Sequence, residues 1–189
     1  MAYISYIFIW LFSYLLGTIS LGDLIVRKFS GQNIRELGTG NPGASNIYAE
    51  ISPKYGVVVF FSDITKGLLV TLPLVLLNYP TWIASISIWL LLAGHMVTTP
   101  WGKTGGTGMA TAMGTAIGLL PFAALIAVVP SFFVLIITRR PSFTGATAFL
   151  LSIIAGWLIY NDLIASLSII LSSAAVLLKY QYQYRNLEI

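Results

Sequence analysis

Long apolar runs separated by short polar turns extend over most of the chain. Runs of about 17 to 25 apolar residues are long enough to cross the hydrocarbon core of a bilayer as a helix. The pattern predicts seven helices, of which the fourth has the weakest signal because Met109 to Leu120 is short and rich in glycine and threonine. The predicted spans are residues 2–20, 55–77, 81–97, 107–120, 121–138, 143–160 and 163–180.

The composition agrees with a membrane protein. Of 189 residues, 57% are hydrophobic and 8% are charged, whereas about a quarter of the residues in soluble domains are charged. We therefore predict an all-α, polytopic integral membrane protein in which residues 1–189 form a single domain. Residues 2–19 lack a preceding basic segment and a clear cleavage site, so we expect a retained span rather than a signal peptide.

Basic residues lie in alternate turns, which predicts the orientation, because cytoplasmic loops collect lysine and arginine. With the N-terminus outside and the C-terminus in the cytoplasm, the turns around residues 78–80, 120–121 and 161–162 face outward, and none contains a basic residue. The basic residues that then fall on the cytoplasmic side are Arg27, Lys28, Arg35, Lys54, Lys103, Arg139, Arg140, Lys179 and Arg185.

Several kinds of chemistry are not indicated. The net charge is +4, but the ten basic residues are scattered, so nucleic acid is not an expected partner. Cysteine is absent, which excludes disulfides and thiolate chemistry. A single histidine and one intramembrane aspartate fall short of a usual metal-ligand set. We expect neither a metal nor a cofactor.

Two glycine-rich segments, residues 38–46 and 102–108, interrupt the apolar pattern on the predicted cytoplasmic side. Close-set backbone amides and hydroxyls bind anions, phosphates in particular. An ordered turn whose Asn and Ser side chains cap the next helix is the alternative. Neither segment has the P-loop order and neither follows a strand, so an NTPase is not indicated. The candidate substrate-binding residues are Thr39, Gly40, Asn41, Gly43, Ser45, Asn46, Lys103, Thr104, Gly105, Gly106 and Thr107.

Three titratable residues near these segments are candidate catalytic residues. Asp63 and Lys66 are three positions apart in an apolar span, hence on one helix face. Intramembrane charges usually mark function or an ion path, although a structural ion pair is an equal alternative here, and Gly67 would let another helix approach. His95 lies shortly before the second segment. A lone histidine is more often a hydrogen-bonding group than a catalyst, but this position raises its significance.

Nearby cations are Arg35, Lys54 and Lys103, and each could equally be a topogenic charge that contacts lipid headgroups. The sequence has no G-x-S-x-G elbow and no His-x4-Asp pair, which disfavours an acyl-enzyme. What remains is direct transfer between two phosphorylated substrates bound side by side, driven by proximity and charge stabilisation.

The combined motifs resemble those of the bacterial membrane acyl-phosphate:glycerol-3-phosphate acyltransferases, over roughly the first two thirds of the chain. Residues 38–46 resemble the family's G-S-G-N-x-G-A-T-N loop. Residues 54–56 and 63–67 resemble its K-x-G…D-x-x-K-G stretch, and 94–95 with 105–111 resemble G-H…K-G-G-K-G-V-A-T.

The resemblance implies an all-α protein with seven membrane helices in the bacterial inner membrane and a site that faces the cytoplasm. Its implied reaction moves a fatty acyl group from acyl phosphate to the sn-1 hydroxyl of glycerol 3-phosphate, giving lysophosphatidic acid and phosphate. Membrane lipids and a soluble enzyme that makes acyl phosphate are the implied partners. We predict His95, Lys66 and Asp63 as catalytic residues.

Departures from the family pattern keep other functions open. Thr104 and Thr107 stand where the family has lysines, and Ala49 stands where an arginine usually follows the first loop. Gln181 and Tyr184 replace a histidine and an asparagine near the C-terminus. One hypothesis is an active acyltransferase. A second is an altered or inactive homologue that binds a phospholipid, acyl phosphate or another acceptor, and a weaker third is a small channel or transporter.

Overall fold

A computed structural model describes residues 2–97 and 105–185. Within these ranges the chain forms nine α-helices and one 3-10 turn. The α-helices are α1 (Ala2–Thr18), α2 (Leu21–Ser30), α3 (Ala44–Glu50), α4 (Pro53–Leu76), α5 (Thr81–Met96), α6 (Met109–Leu119), α7 (Pro121–Thr138), α8 (Pro141–Tyr160) and α9 (Leu163–Arg185). The 3-10 turn, Ile34–Glu36, lies between α2 and α3.

The seven predicted helices are present as α1 and α4 to α9. Most ends agree closely with the prediction, and the largest difference is at α9, which continues to Arg185. Helices α2 and α3 and the 3-10 turn were not predicted. They fill the connection between the first two predicted spans.

Five segments of the described chain are helical, long and apolar enough to cross a membrane. They are Tyr3–Ser30, Pro53–Leu76, Pro121–Thr138, Ser142–Tyr160 and Leu163–Gln183. The first contains both α1 and α2, and its apolar part is α1. Helices α5 and α6 are apolar but shorter, so the count of seven spans stays a prediction.

The boundary between α6 and α7 is a turn rather than a kink. Leu120 has φ −130° and ψ 64°, outside the helical region, and Pro121 occupies the first turn of α7. A proline disfavours helical geometry in the residue before it and fits the first helical turn well. The sequence left this choice open, and the local geometry follows from Pro121.

Helix α2 owes its position to an amphipathic pattern. Gly22, Asp23 and Val26 are buried, while Arg27 and Lys28 are exposed on the other side. The Ser20 side chain accepts a hydrogen bond from the Asp23 amide at 3.4 Å, and Gly31 ends the helix at φ 67°. Helix α2 therefore packs against the rest of the protein with the Asp23 side chain buried.

Glycines bring two helix pairs into backbone contact near one end of the molecule. A Cβ atom on Gly67 of α4 would overlap the Thr111 carbonyl oxygen of α6, and a Cβ atom on Gly114 would overlap the Ile64 carbonyl oxygen. The predicted role of Gly67 is thereby confirmed. Gly17 of α1 and Gly94 of α5 form a second crossing, where added Cβ atoms would overlap backbone oxygens of the opposite helix.

At the opposite end of the molecule, the other helix termini contact one another. Thr81 donates to the Asp162 carboxylate at 2.7 Å, which ties the start of α5 to the α8–α9 turn. The Phe122 amide donates to the Tyr160 hydroxyl at 3.1 Å. Near the start of α1, the Tyr6 ring lies 5.8 Å from the Trp82 ring between centroids. Successive long helices therefore alternate in direction.

Candidate active site

Hydrogen bonds within the first glycine-rich segment hold it in one conformation. The Asn46 side chain accepts from the Thr39 amide at 3.0 Å and donates to the carbonyls of Leu37 and Asn41, both at 3.0 Å. The Asn41 side chain accepts from the Gly43 amide at 3.0 Å. Both asparagines are buried. These two side chains therefore order their own loop, as the alternative expected, although no side-chain hydrogen bond caps the start of α3.

Part of this segment faces a cavity. Asn41, Gly43 and Ser45 line a cavity of about 140 Å³, and Pro42 lines a smaller one of about 20 Å³. Thr39 and Gly40 line neither of these cavities, and Gly40 adopts φ 68°, a left-handed conformation that suits glycine. Residues 41–43 and 45 of the segment therefore line the cavities, while the hydrogen bond between Thr39 and Asn46 fixes the turn.

The second segment lies against His95. The Gly106 amide donates to the His95 carbonyl at 3.0 Å, and a Cβ atom on Gly105 would overlap that oxygen. A Cβ atom on Gly106 would lie 2.9 Å from His95 Nε2. Only glycine permits so close an approach of backbone to ring. The predicted residues Lys103 and Thr104 lie outside the described part of the chain.

The imidazole of His95 is held on one side by a threonine. Thr111 Oγ1 lies 3.3 Å from His95 Nδ1, and Thr111 is fully buried near the start of α6. The other ring nitrogen, Nε2, lies beside Gly106. The ring thus has a fixed direction, as a positioned acid or base requires.

Asp63 and Lys66 form the predicted ion pair. Lys66 Nζ lies 2.8 Å from Asp63 Oδ1 and donates to the Ile19 carbonyl at 2.6 Å, and both side chains are buried. The ammonium group therefore joins α4 to the end of α1, as the structural alternative expected. Asp63 lines both cavities, and Lys66 lines neither.

Asp63 and His95 are the residues that border both cavities, so they form the wall between them. On the larger side the lining includes hydroxyl and amide groups together with Phe60 and Met109. Its polar lining residues are Asn41, Ser45, Thr107, Ser142 and Tyr180. The smaller side includes Gly105, Gly106 and Arg35. The larger space suits a ligand beside the carboxylate and the imidazole, and the smaller one, of about 20 Å³, has room for roughly one water.

Sequence reasoning missed several lining residues. Ser142 and Tyr180 come from α8 and α9, and only their predicted location at cytoplasmic helix ends could have suggested them. Arg35 was noted as a nearby cation, but its partner Asp23 was not. Lys54 is exposed and lines neither cavity.

Most predicted site residues that the structure describes come together. No group of three possible metal-ligating side chains was found among residues 2–97 and 105–185. The predicted substrate-binding and catalytic residues that line one or both cavities are Asn41, Gly43, Ser45, Asp63, His95, Gly105, Gly106 and Thr107. Thr39, Gly40, Asn46 and Lys66 lie behind them and support the loop or the ion pair.

Comparison with known proteins identifies similar chains. The family model described as glycerol-3-phosphate acyltransferase matches residues 7–188. A glycerol-3-phosphate acyltransferase of Aquifex aeolicus is 34% identical over 156 residues, covering 80% of this chain and 81% of that protein. One of Geotalea daltonii is 34% identical over 181 residues, covering 93% and 90%.

A solved structure has the same fold. It is a crystal structure of PlsY, an integral membrane glycerol 3-phosphate acyltransferase, in its glycerol 3-phosphate form. The TM-score is 0.86 at 28% identity, and the match covers 97% of this chain and 92% of that chain. A second structure, in the lysophosphatidic acid form, matches with a TM-score of 0.83.

Proposed function

The chain belongs to the glycerol-3-phosphate acyltransferase family, and from this we propose that it moves a fatty acyl group from acyl phosphate to glycerol 3-phosphate. The resemblance drawn from the sequence motifs is confirmed at the level of the family. The protein is an all-helical membrane acyltransferase whose product is lysophosphatidic acid. The donor and the direct route are the proposed parts.

One observation supports this proposal most strongly. Both glycine-rich segments meet the same wall, formed by Asp63 and His95, and each side of that wall opens into a cavity. Loop amides and hydroxyls at Ser45 and Thr107 supply donors for phosphate oxygens. The larger cavity, which contains these donors, can hold a phosphorylated donor and a phosphorylated acceptor close together beside this wall.

The proposed step needs no acyl-enzyme. The glycerol hydroxyl oxygen forms a bond to the acyl carbon, and the bond from that carbon to the phosphate oxygen breaks. Phosphate leaves with the electron pair. The hydroxyl proton passes to His95 Nε2, which Thr111 orients through Nδ1, and then to the departing phosphate. The Asp63 carboxylate keeps the site polar, and the Lys66 ammonium group neutralises the negative charge of that carboxylate close to the anionic ligands.

We propose that residues 1–189 form a single domain with seven membrane spans in the bacterial inner membrane, with the N-terminus outside and the site at the cytoplasmic face. The alternating helix directions and the basic turns support this placement. Membrane lipids surround the exposed apolar surface. A soluble enzyme that produces acyl phosphate is the proposed supplier of the donor.

A second candidate function rests on Thr107. This residue lines the larger cavity and stands where the resembled motif has a lysine. A lysine there would add a charge-assisted contact to a phosphate, worth about 1.5 to 3 kcal/mol. Its replacement favours an altered homologue that prefers a different acceptor or only binds acyl phosphate or a phospholipid.

Lysophosphatidic acid formation by purified, reconstituted protein distinguishes the two candidates. We expect product from acyl phosphate and glycerol 3-phosphate, and loss of product in Gly106→Val, whose side chain would displace the His95 ring. Gly31→Asn is the control, because nothing lies within 4 Å of a Cβ atom there and asparagine tolerates its positive φ. Retained binding of acyl phosphate with no acylation of glycerol 3-phosphate would favour the altered homologue.

A further inference from the structure

A partly buried ion pair outside the predicted catalytic set connects α2 to the 3-10 turn. Arg35 Nε lies 3.0 Å from Asp23 Oδ1, and Arg35 Nη2 lies 2.6 Å from Asp23 Oδ2. The side chains are 14% and 4% exposed, respectively. Two parallel contacts from a planar guanidinium to a carboxylate fix the direction of the arginine as well as its charge.

Arg35 lies where the two glycine-rich segments meet the active site. It comes three residues before Gly38, and its carbonyl oxygen would lie 3.0 Å from a Cβ atom on Gly40. Arg35 lines the smaller cavity with Asp63, His95 and Gly106. Arg35 thus lies against the first segment through its backbone and shares a cavity with Gly105 and Gly106 of the second.

The size of that cavity indicates how Arg35 acts. About 20 Å³ is enough for roughly one water molecule, and a phosphate group with its four oxygens needs more space. Arg35 therefore acts on its protein surroundings rather than on a substrate phosphate. Asp23, which is buried behind it, keeps it at this place.

We propose that the Asp23–Arg35 pair is a positioning device that holds both glycine-rich segments against His95 and Asp63 in the geometry needed for acyl transfer. This inference rests on the proposed function for its kinetic part. Arg35 is a positioning residue here. Because a misplacement of about 1 Å can lower a rate roughly 100-fold, the pair controls turnover without touching the substrates.

Two single variants test the proposal, each with a chemically matched control. Asp23→Asn is compared with Glu36→Gln, the same acid-to-amide change at an exposed site one residue beyond Arg35. Arg35→Lys is compared with Arg27→Lys, an exposed arginine on α2. Reconstituted protein is assayed for kcat and for the KM of glycerol 3-phosphate. Because the chain has one histidine, the imidazole NMR signals of labelled protein report on His95 alone.

We expect Asp23→Asn and Arg35→Lys each to lower kcat about 10- to 100-fold, with KM for glycerol 3-phosphate changed less than about threefold. The double variant should be no worse than the poorer single variant, because the two residues act as one unit. The His95 signals should shift in both single variants and stay in place in both controls. Asp23→Glu, which keeps the carboxylate, should recover part of the lost kcat.

Three results would overturn the proposal. A wild-type kcat in Arg35→Lys would mean that a positive charge at this position is enough and that the two contacts of the guanidinium with Asp23 are not needed. Unchanged His95 signals in Asp23→Asn would mean that the pair does not position the site, and a lower folded fraction with normal kcat per folded molecule would mean a purely structural role. If the wild-type protein forms no lysophosphatidic acid, the proposed function fails separately, and the His95 signals still decide whether the pair places the site.

Discussion

His95 has two ring nitrogens in different surroundings, and the proposed proton transfer depends on that difference. Nδ1 faces the Thr111 hydroxyl at 3.3 Å, while Nε2 lies by Gly106 at the cavity wall. If Nε2 takes the hydroxyl proton, removing the ring should lower kcat about 10²- to 10⁴-fold. We expect that loss in His95→Ala, measured as lysophosphatidic acid formed per second.

Thr111→Val should have a smaller effect on kcat, about tenfold, because it removes the group that orients the ring and leaves the ring in place. Thr115→Val is the matched control. Thr115 is buried one turn further along α6, and its hydroxyl donates to the Ala112 carbonyl at 2.8 Å. Equal losses in the two threonine variants would contradict an orienting role for Thr111.

Lys66 gives a prediction about stability. In Lys66→Met the buried Asp63 carboxylate loses its cation, and removal of one partner of a buried pair costs about 3 to 5 kcal/mol. Asp63→Asn/Lys66→Met should recover most of that loss, because no unpaired charge remains. Unfolding in detergent would measure both variants. A double variant as unstable as Lys66→Met alone would show that the Lys66 contact with the Ile19 carbonyl is the main contribution.

At the residue scale, sequence reasoning found groups whose local context was informative. Asp63 and Lys66 stand out as charges in an apolar run, and their spacing of three predicted the contact that forms. The Asp23–Arg35 pair spans a helix end and a 3-10 turn, so no periodicity connects its members. The hydrogen bonds of Asn46 within its loop could not be assigned from the sequence, because hydrogen-bonding partners depend on the folded turn.

Among the elements, the contact of α4 with α6 fixes where the second glycine-rich segment enters the site. Gly114→Ala would place a methyl group against the Ile64 carbonyl oxygen, an overpacked contact that costs about 1 to 3 kcal/mol. We expect a lower melting temperature together with reduced kcat, because α6 carries Thr111. Gly31→Asn is again the control, and a wild-type melting temperature in Gly114→Ala would contradict this contact.

The elements differ in how well hydropathy predicts them. Helices α1 and α4 to α9 follow from apolar runs of the sequence, because an apolar segment in lipid must satisfy its backbone hydrogen bonds internally. Helices α2 and α3 have mixed polarity and only ten and seven residues, so their form depends on packing against α4. The weakest predicted helix, α6, is confirmed, and its shortness follows from the turn at Pro121.

For the whole molecule, the orientation in the membrane can be tested directly because the chain contains no cysteine. We expect Lys28→Cys, exposed on α2, to be protected from a membrane-impermeant thiol reagent in intact cells and to react in inverted vesicles. Leu77→Cys, exposed after α4, should react in intact cells. The reverse pattern would place the site on the outer face and contradict the proposed supply of acyl phosphate from the cytoplasm.

Single-turnover transfer from radiolabelled acyl phosphate, with enzyme in excess, shows whether the acyl group passes directly from one substrate to the other. If the two substrates react side by side at His95 and Asp63, label should pass to lysophosphatidic acid only after glycerol 3-phosphate is added, and denatured protein should carry no label. Acyl label bound covalently to the protein, formed before glycerol 3-phosphate is added and consumed by it, would contradict direct transfer.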